Sequence, residues 1–148
     1  YIAWGTKNRS AYIRVPEMPN AKEKATRIEI RSPDPTCNIY LALAAIQTAG
    51  IRGIKENLKL VPPQERNIYK MTPKEMEKAK IVTLAKDLKE ALENFKKSKL
   101  MKETLGEHIF QKLIQNKEIE WQKYKKAVGK GYKKEVSPYE IEEYLPVL

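Results

Sequence analysis

The sequence predicts an α+β fold, a short antiparallel strand pair followed by mostly helical structure. Three observations carry that expectation. From Arg27 to Arg31 the residues alternate Arg, Ile, Glu, Ile, Arg, and a period of two puts the charged residues on one strand face and Ile28 and Ile30 on the other. Two Ser/Thr-Pro-x-Glu sequences, Thr72 to Glu75 and Ser137 to Glu140, read as capping boxes with Pro at the first helical position. Between them, apolar residues recur at helical spacing over two long stretches.

Taken in order, the chain opens on Tyr1-Ile2-Ala3-Trp4-Gly5, a strand-like apolar run with neither an initiator Met nor the basic region of a signal peptide, so it reads as a chain cut within a domain. Ala11 to Val15 is the first strand candidate. A loop rich in Pro and charge, Pro16 to Ala25, joins it to the second, Arg27 to Arg31. Asp34 and Pro35 then supply a helix cap and first turn, Leu41 to Ala49 an Ala- and Leu-rich helix, and Gly50 its expected end. That helix is apolar nearly all round and is expected to be buried. Leu58 to Tyr69, with Pro62 and Pro63, reads as a connecting loop. Leu84, Leu88, Ala91, Leu92 and Phe95 form one amphipathic stripe. From about Glu107, a second stripe comprises Phe110, Leu113, Ile114, Trp121, Tyr124 and Val128. Lys123, Lys125 and Lys126 sit in its last turn, where they suit the negative end of the helix dipole or could contact phosphate.

Composition bounds the function. A chain of 148 residues can form one domain that buries about 70% of its unfolded surface. With 41% hydrophobic and 32% charged residues it is too apolar for disorder, and its longest apolar run, Ile39 to Ile46, is far too short to span a bilayer, so no membrane partner is expected. The single Cys37 excludes an intramolecular disulfide and fits a reducing cytoplasm or indifference to compartment. Lys and Arg number 29 against 19 Asp and Glu, a net charge of +10, but the lysines are spread along the helical part rather than gathered in one block. A basic helical module binding nucleic acid is therefore the minor reading, and no nucleic-acid partner is expected.

The constellation with chemical potential is Asn8-Arg9-Ser10, Arg14, the loop lysines and Arg27-Ile28-Glu29-Ile30-Arg31. Guanidinium groups take carboxylate and phosphate in a fixed fork, so several arginines beside one carboxylate suit an anionic substrate and a metal. A solvated sheet face carrying ordinary surface ion pairs would give the same pattern. His108 at a helix start reads as structural, and Cys37 lacks a partner that would make it a nucleophile.

These residues, in order, resemble a known family. Asn8-Arg9-Ser10, Ile13-Arg14-Val15-Pro16, Thr26 to Pro35, Asn38 and Tyr40 to Ala45 are similar to the C-terminal part of the glutamine synthetase catalytic domain. So are Ala49 to Ile54, Asn67-Ile68-Tyr69, Leu105 to Phe110, Glu120-Trp121 with Tyr124, and Glu143-Tyr144-Leu145. The resemblance covers residues 1–148. It implies a ligase that joins ammonia to L-glutamate with ATP through γ-glutamyl phosphate, using Mg2+ or Mn2+. Arg9 would bridge nucleotide and glutamate at the transferring phosphoryl group as the catalytic residue. Arg14 and a loop lysine would contact ATP, Arg31 would bind glutamate, and Glu29 would be a metal ligand. Counting from either side makes that lysine Lys22 or Lys24, and Lys24 is preferred. The resemblance further implies a cytoplasmic homo-oligomer with Tyr144 to Leu148 at a subunit contact. A glutamine-synthetase-like ligase that joins glutamate to another amine is the alternative within the same family.

Departures from the family pattern are Ile39, where Pro is usual, and Lys70-Met71-Thr72, which replaces the acidic Leu-Pro context of a tyrosine that some bacterial relatives adenylylate, here Tyr69. The family's N-terminal domain and the first part of its catalytic domain, with the other metal carboxylates, have no counterpart in these residues. The chain alone is accordingly expected to hold no metal or ATP tightly and to be inactive.

Overall fold

The computed structural model describes residues 1–17, 26–129 and 136–147. They form two compact units, one from Tyr1–Pro33 and Lys59–Leu84, the other from Asp34–Leu58 and Ala85–Leu148.

The first unit contains a three-stranded sheet in the order β1 (Trp4–Gly5), β2 (Ile13–Arg14), β3 (Glu29–Ile30). The expected antiparallel pair is present: Ile13 stands opposite Ile30 and Arg14 opposite Glu29. Both strands are shorter than the alternation suggested. Ala11, expected in the first strand, lies in a bend and is buried, while Arg31 still donates its amide to the Tyr12 carbonyl at 3.0 Å. The opening apolar run adds a strand that the paired-strand expectation did not include. β1 runs parallel to β2, and Ile2 bridges Val82 beyond it, so β2 is the central strand with both edges paired.

The loop after Leu58 ends in a single 3-10 turn, Ile68–Lys70, capped by the Asn67 side chain, and Ile68 is almost fully enclosed. α2 (Pro73–Lys78) follows with the expected capping box. Glu75 accepts from the Thr72 amide at 2.8 Å and from its hydroxyl at 2.9 Å, and takes Arg66 Nη2 at 2.7 Å on its other oxygen. The Thr72 amide, then Arg66, lower its carboxyl to about 2 from an ordinary 4.5. A depressed carboxyl stabilises the folded form fully above its unfolded pKa and loses that contribution as pH falls through the folded value. The Thr72 cap is therefore expected to open as pH drops from about 4.5 toward about 2. Carboxyl NMR titration of Glu75, read beside the Thr72 amide shift, checks this: a midpoint near 4.5 would contradict it.

In the second unit, α1 (Ile39–Lys55) corrects three expectations. Its cap is Asn38, whose side chain accepts from the Tyr40 and Leu41 amides, whereas Asp34 closes a separate turn through the Thr36 amide and hydroxyl. Gly50 does not end it. The helix continues to Lys55, where Asn57 at φ 48° takes the left-handed position. The Leu58 amide bonds the Gly53 carbonyl and the Asn57 amide that of Ile54, a Schellman closure with Asn in the usual place of Gly. Nor is α1 buried. One face, with Leu41, packs on the core formed with α4 (Lys99–Val128), while Tyr40, Leu43, Ile51 and Ile54 are exposed on the other. An all-round apolar helix needs covering on both faces, and the described residues of this unit cover one.

α3 (Leu88–Lys97) begins at the Asp87 cap, which leaves Leu84 outside it. α4 starts earlier than expected, at the Ser98 cap, and breaks at Gly106, whose φ of 70° and ψ of 161° are open to Gly at no steric cost. The segment after the break is the helix foreseen from Glu107. Its stripe makes the core: Phe110 and Ile114 are buried with Leu92 and Leu105, and Phe95 stacks on Phe110 with ring centres 4.9 Å apart. Gly129 caps its end, with Lys125 and Lys126 in the last turn. α5 (Pro138–Tyr144) has the second expected capping box, on Ser137 and Glu140. The Tyr144 hydroxyl donates to Glu120 on α4, which also pairs with Lys117 at 2.6 Å, and burial together with that carboxylate pushes the phenol pKa upward.

Candidate active site

Cross-strand pairing in the first unit places Arg14 directly opposite Glu29, and their side chains meet at 2.9 Å. Period-two alternation along β3 brings Arg27 and Arg31 to the same face, where their guanidiniums lie 3.2 and 3.7 Å from the Glu29 carboxylate. Glu29 thus stands among three arginines, leaving an excess of two positive charges on a face where Arg14, Glu29 and Arg31 remain about a third exposed and Arg27 about half. The hydrogen bond from Arg14 leads the causes that hold the Glu29 carboxyl below its ordinary value. Ion pairs of this exposure contribute little to stability. The surplus of charge is what a site for anions requires. At 3.7 Å, the Arg31 guanidinium pairs electrostatically with Glu29 but is beyond hydrogen-bonding distance of it.

Arg14 also donates from Nε to the Thr6 carbonyl at 3.1 Å, which ties the sheet face to the turn carrying Asn8-Arg9-Ser10. Asn8 is buried and uses its whole carboxamide: Nδ2 donates to the carbonyls of Gln64 at 2.6 Å and Arg66 at 2.8 Å, and Oδ1 accepts from the Ser10 amide and hydroxyl. Arg9, next in sequence, is exposed. The fold brings Arg14, Arg27, Glu29 and Arg31 together and places Arg9 on the adjoining turn. Lys22 and Lys24 lie outside the described residues. His108 is exposed on α4 in the other unit, and Cys37 is a free thiol there. Among the described residues no three His, Cys, Asp or Glu side chains gather as a metal site.

A family model described as glutamine synthetase, catalytic domain, matches residues 1–144. The chain belongs to the glutamine synthetase catalytic-domain family. It is 45% identical over 145 residues to a glutamine synthetase of Thermotoga maritima, an alignment covering 98% of this chain and 30% of that protein. It is 43% identical over 148 residues to that of Methanosarcina mazei, covering 100% and 31%. With that of Thermus thermophilus it shares 43% over 144 residues, covering 97% and 30%. The chain therefore spans about 30% of the length of the curated glutamine synthetases it matches. The α+β character expected of this part of the glutamine synthetase domain is what the fold displays. No helix among the described residues is long and apolar enough to cross a membrane.

Glu65 is the residue that sequence reasoning passed over. It sits in a stretch read only as connecting loop, yet its carboxylate accepts from the Thr6 amide at 2.6 Å, the Thr6 hydroxyl at 2.9 Å and the Lys7 amide at 3.0 Å. The Thr6 and Lys7 amides lower its carboxyl from the ordinary value. Nothing in the one-dimensional pattern links positions so far apart; only the fold does.

Proposed function

We propose that this chain is the C-terminal segment of a glutamine synthetase catalytic domain and supplies the arginine-rich part of its active site. In the complete protein the γ-carboxylate of L-glutamate attacks the terminal phosphorus of ATP and ADP leaves. Ammonia then attacks the acyl carbon, phosphate departs and a proton is lost. Both steps crowd negative charge onto oxygen, and fixed positive groups stabilise that charge most where no reorganisation is needed. The observation that supports this reading is the surplus of guanidinium charge around one ionised carboxylate on a single strand face. Arg9 acts on the transferring phosphoryl group, Arg14 and Lys24 on the ATP phosphates, and Arg31 on a glutamate carboxylate.

A hard divalent cation such as Mg2+ or Mn2+ takes about six oxygen ligands. Glu29, with its oxygens engaged by Arg14 and Arg27, does not make such a site with the other described residues; it fits as one carboxylate of a larger set. When bound, the metal would neutralise phosphate charge. Assembly as a cytoplasmic homo-oligomer belongs to the same reading.

Two preparations test it. The purified 148-residue chain, given ATP, Mg2+, glutamate and ammonia, is expected to release no phosphate and form no glutamine, whereas the complete synthetase containing it does both. Glutamine formation by the chain alone would overturn the division of the site. Turnover by the complete protein with other amines but not with ammonia would overturn the substrate assignment.

A further inference from the structure

Arg9 is exposed, so its own packing does not place it. What is fixed is the turn beneath it. On one side, Glu65 gathers both amides of Thr6 and Lys7 and the Thr6 hydroxyl. On the other, the Asn8 carboxamide joins Gln64 and Arg66 to Ser10, whose hydroxyl accepts from the Ile68 amide at 3.1 Å. The Trp4 indole donates to the Val61 carbonyl at 2.7 Å, and the Gln64 amide to the Trp4 carbonyl at 2.8 Å. The segment runs so close to β1 that a Cβ on Gly5 would lie 2.7 Å from the Gln64 carbonyl oxygen, so glycine is required there. Residues 61–68 therefore form a backbone clamp, and Glu65 is its one charged contact with the turn residues next to Arg9.

We propose that Glu65 is a positioning residue for catalysis, holding the Thr6–Lys7 turn so that the Arg9 guanidinium meets the phosphoryl group in one orientation. This rests on the role assigned to Arg9 above. A carboxylate suits the task because it offers acceptors alone to several donors. Gln in its place keeps one acceptor and turns an amino group toward the Lys7 amide.

In the complete synthetase, Glu65→Gln is expected to lower kcat about tenfold, since a small misplacement of a charge-stabilising group is costly, while KM for glutamate changes less than about twofold. In an Arg9→Ala background the same change should cost nothing further. If Arg9→Ala leaves kcat intact, the assigned role of Arg9 fails. If Arg9→Ala is costly and Glu65→Gln adds its full loss on top, Glu65 does not act through Arg9 and the inference is overturned. An unchanged kcat in Glu65→Gln overturns it as well. Should Glu65→Gln fail to fold, Thr6→Val, which removes only the hydroxyl contact, is expected to lower kcat in the same direction by a smaller factor, and an unchanged kcat there also overturns it. Faster amide exchange at Thr6 and Lys7, with exchange at Ala42 unaltered, is the expected physical signature of Glu65→Gln in the 148-residue chain.

Discussion

Glu29→Gln in the complete synthetase is expected to lower kcat/KM by about 10²-fold or more while leaving the protein folded. The substitution preserves shape and removes charge. Three guanidiniums would then face a neutral amide, one of whose edges is itself a donor, and the carboxylate proposed above as a metal ligand would be lost. Stability is expected to change little, because the pairs are about a third exposed and such pairs contribute at most about 1 kcal/mol. Steady-state kinetics across a Mg2+ titration, beside a thermal melt, separate the two effects. Unchanged kinetics would refute the role of Glu29. The companion change Arg31→Lys keeps the charge but loses the planar fork, and should raise KM for glutamate about tenfold with a smaller effect on ATP.

The second large effect is on stability. Phe110→Ala is expected to cost the helical unit about 3–5 kcal/mol, the usual range when a buried aromatic is truncated. Phe110 is 3% exposed, lies among Leu92, Leu105 and Ile114, and stacks on Phe95 with the rings 21° from parallel. Its removal leaves a cavity that the neighbouring helices cannot close without shifting, and it forfeits the ring contact. Urea denaturation followed by helical circular dichroism gives the size directly. A loss below about 1 kcal/mol would show that this cluster is not the core of the unit.

How far these sites were legible in the sequence depended on the range of the forces that make them. Local signals were reliable where a side chain acts within four residues of itself. Both capping boxes formed, because Thr72 and Ser137 find their Glu partners three residues on. The charged face of Arg27, Glu29 and Arg31 followed from the strand period alone. The stripe from Phe110 to Ile114 likewise announced the core. Local signals misled where two candidates competed. Asp34-Pro35 looked like a helix start, but Asn38 took that role and Asp34 closed a turn instead. Gly50 looked like a stop, yet a Gly in a helix costs only about 1 kcal/mol, and the end went to Asn57, where the chain turns left-handed.

By itself, then, the sequence determined the family through an ordered set of motifs along the chain, and it determined the two capped starts at Thr72 and Ser137 and the alternation that gathers arginines around Glu29, because these last are written in spacings of two or three residues. The tertiary structure alone decided which edges those strands pair with, that one face of α1 stays open, and that Glu65 and Asn8 reach across more than fifty positions to hold the turn bearing Arg9. The reason is physical. A hydrogen bond between distant segments depends on where the whole chain brings its backbone, and no local period encodes that meeting.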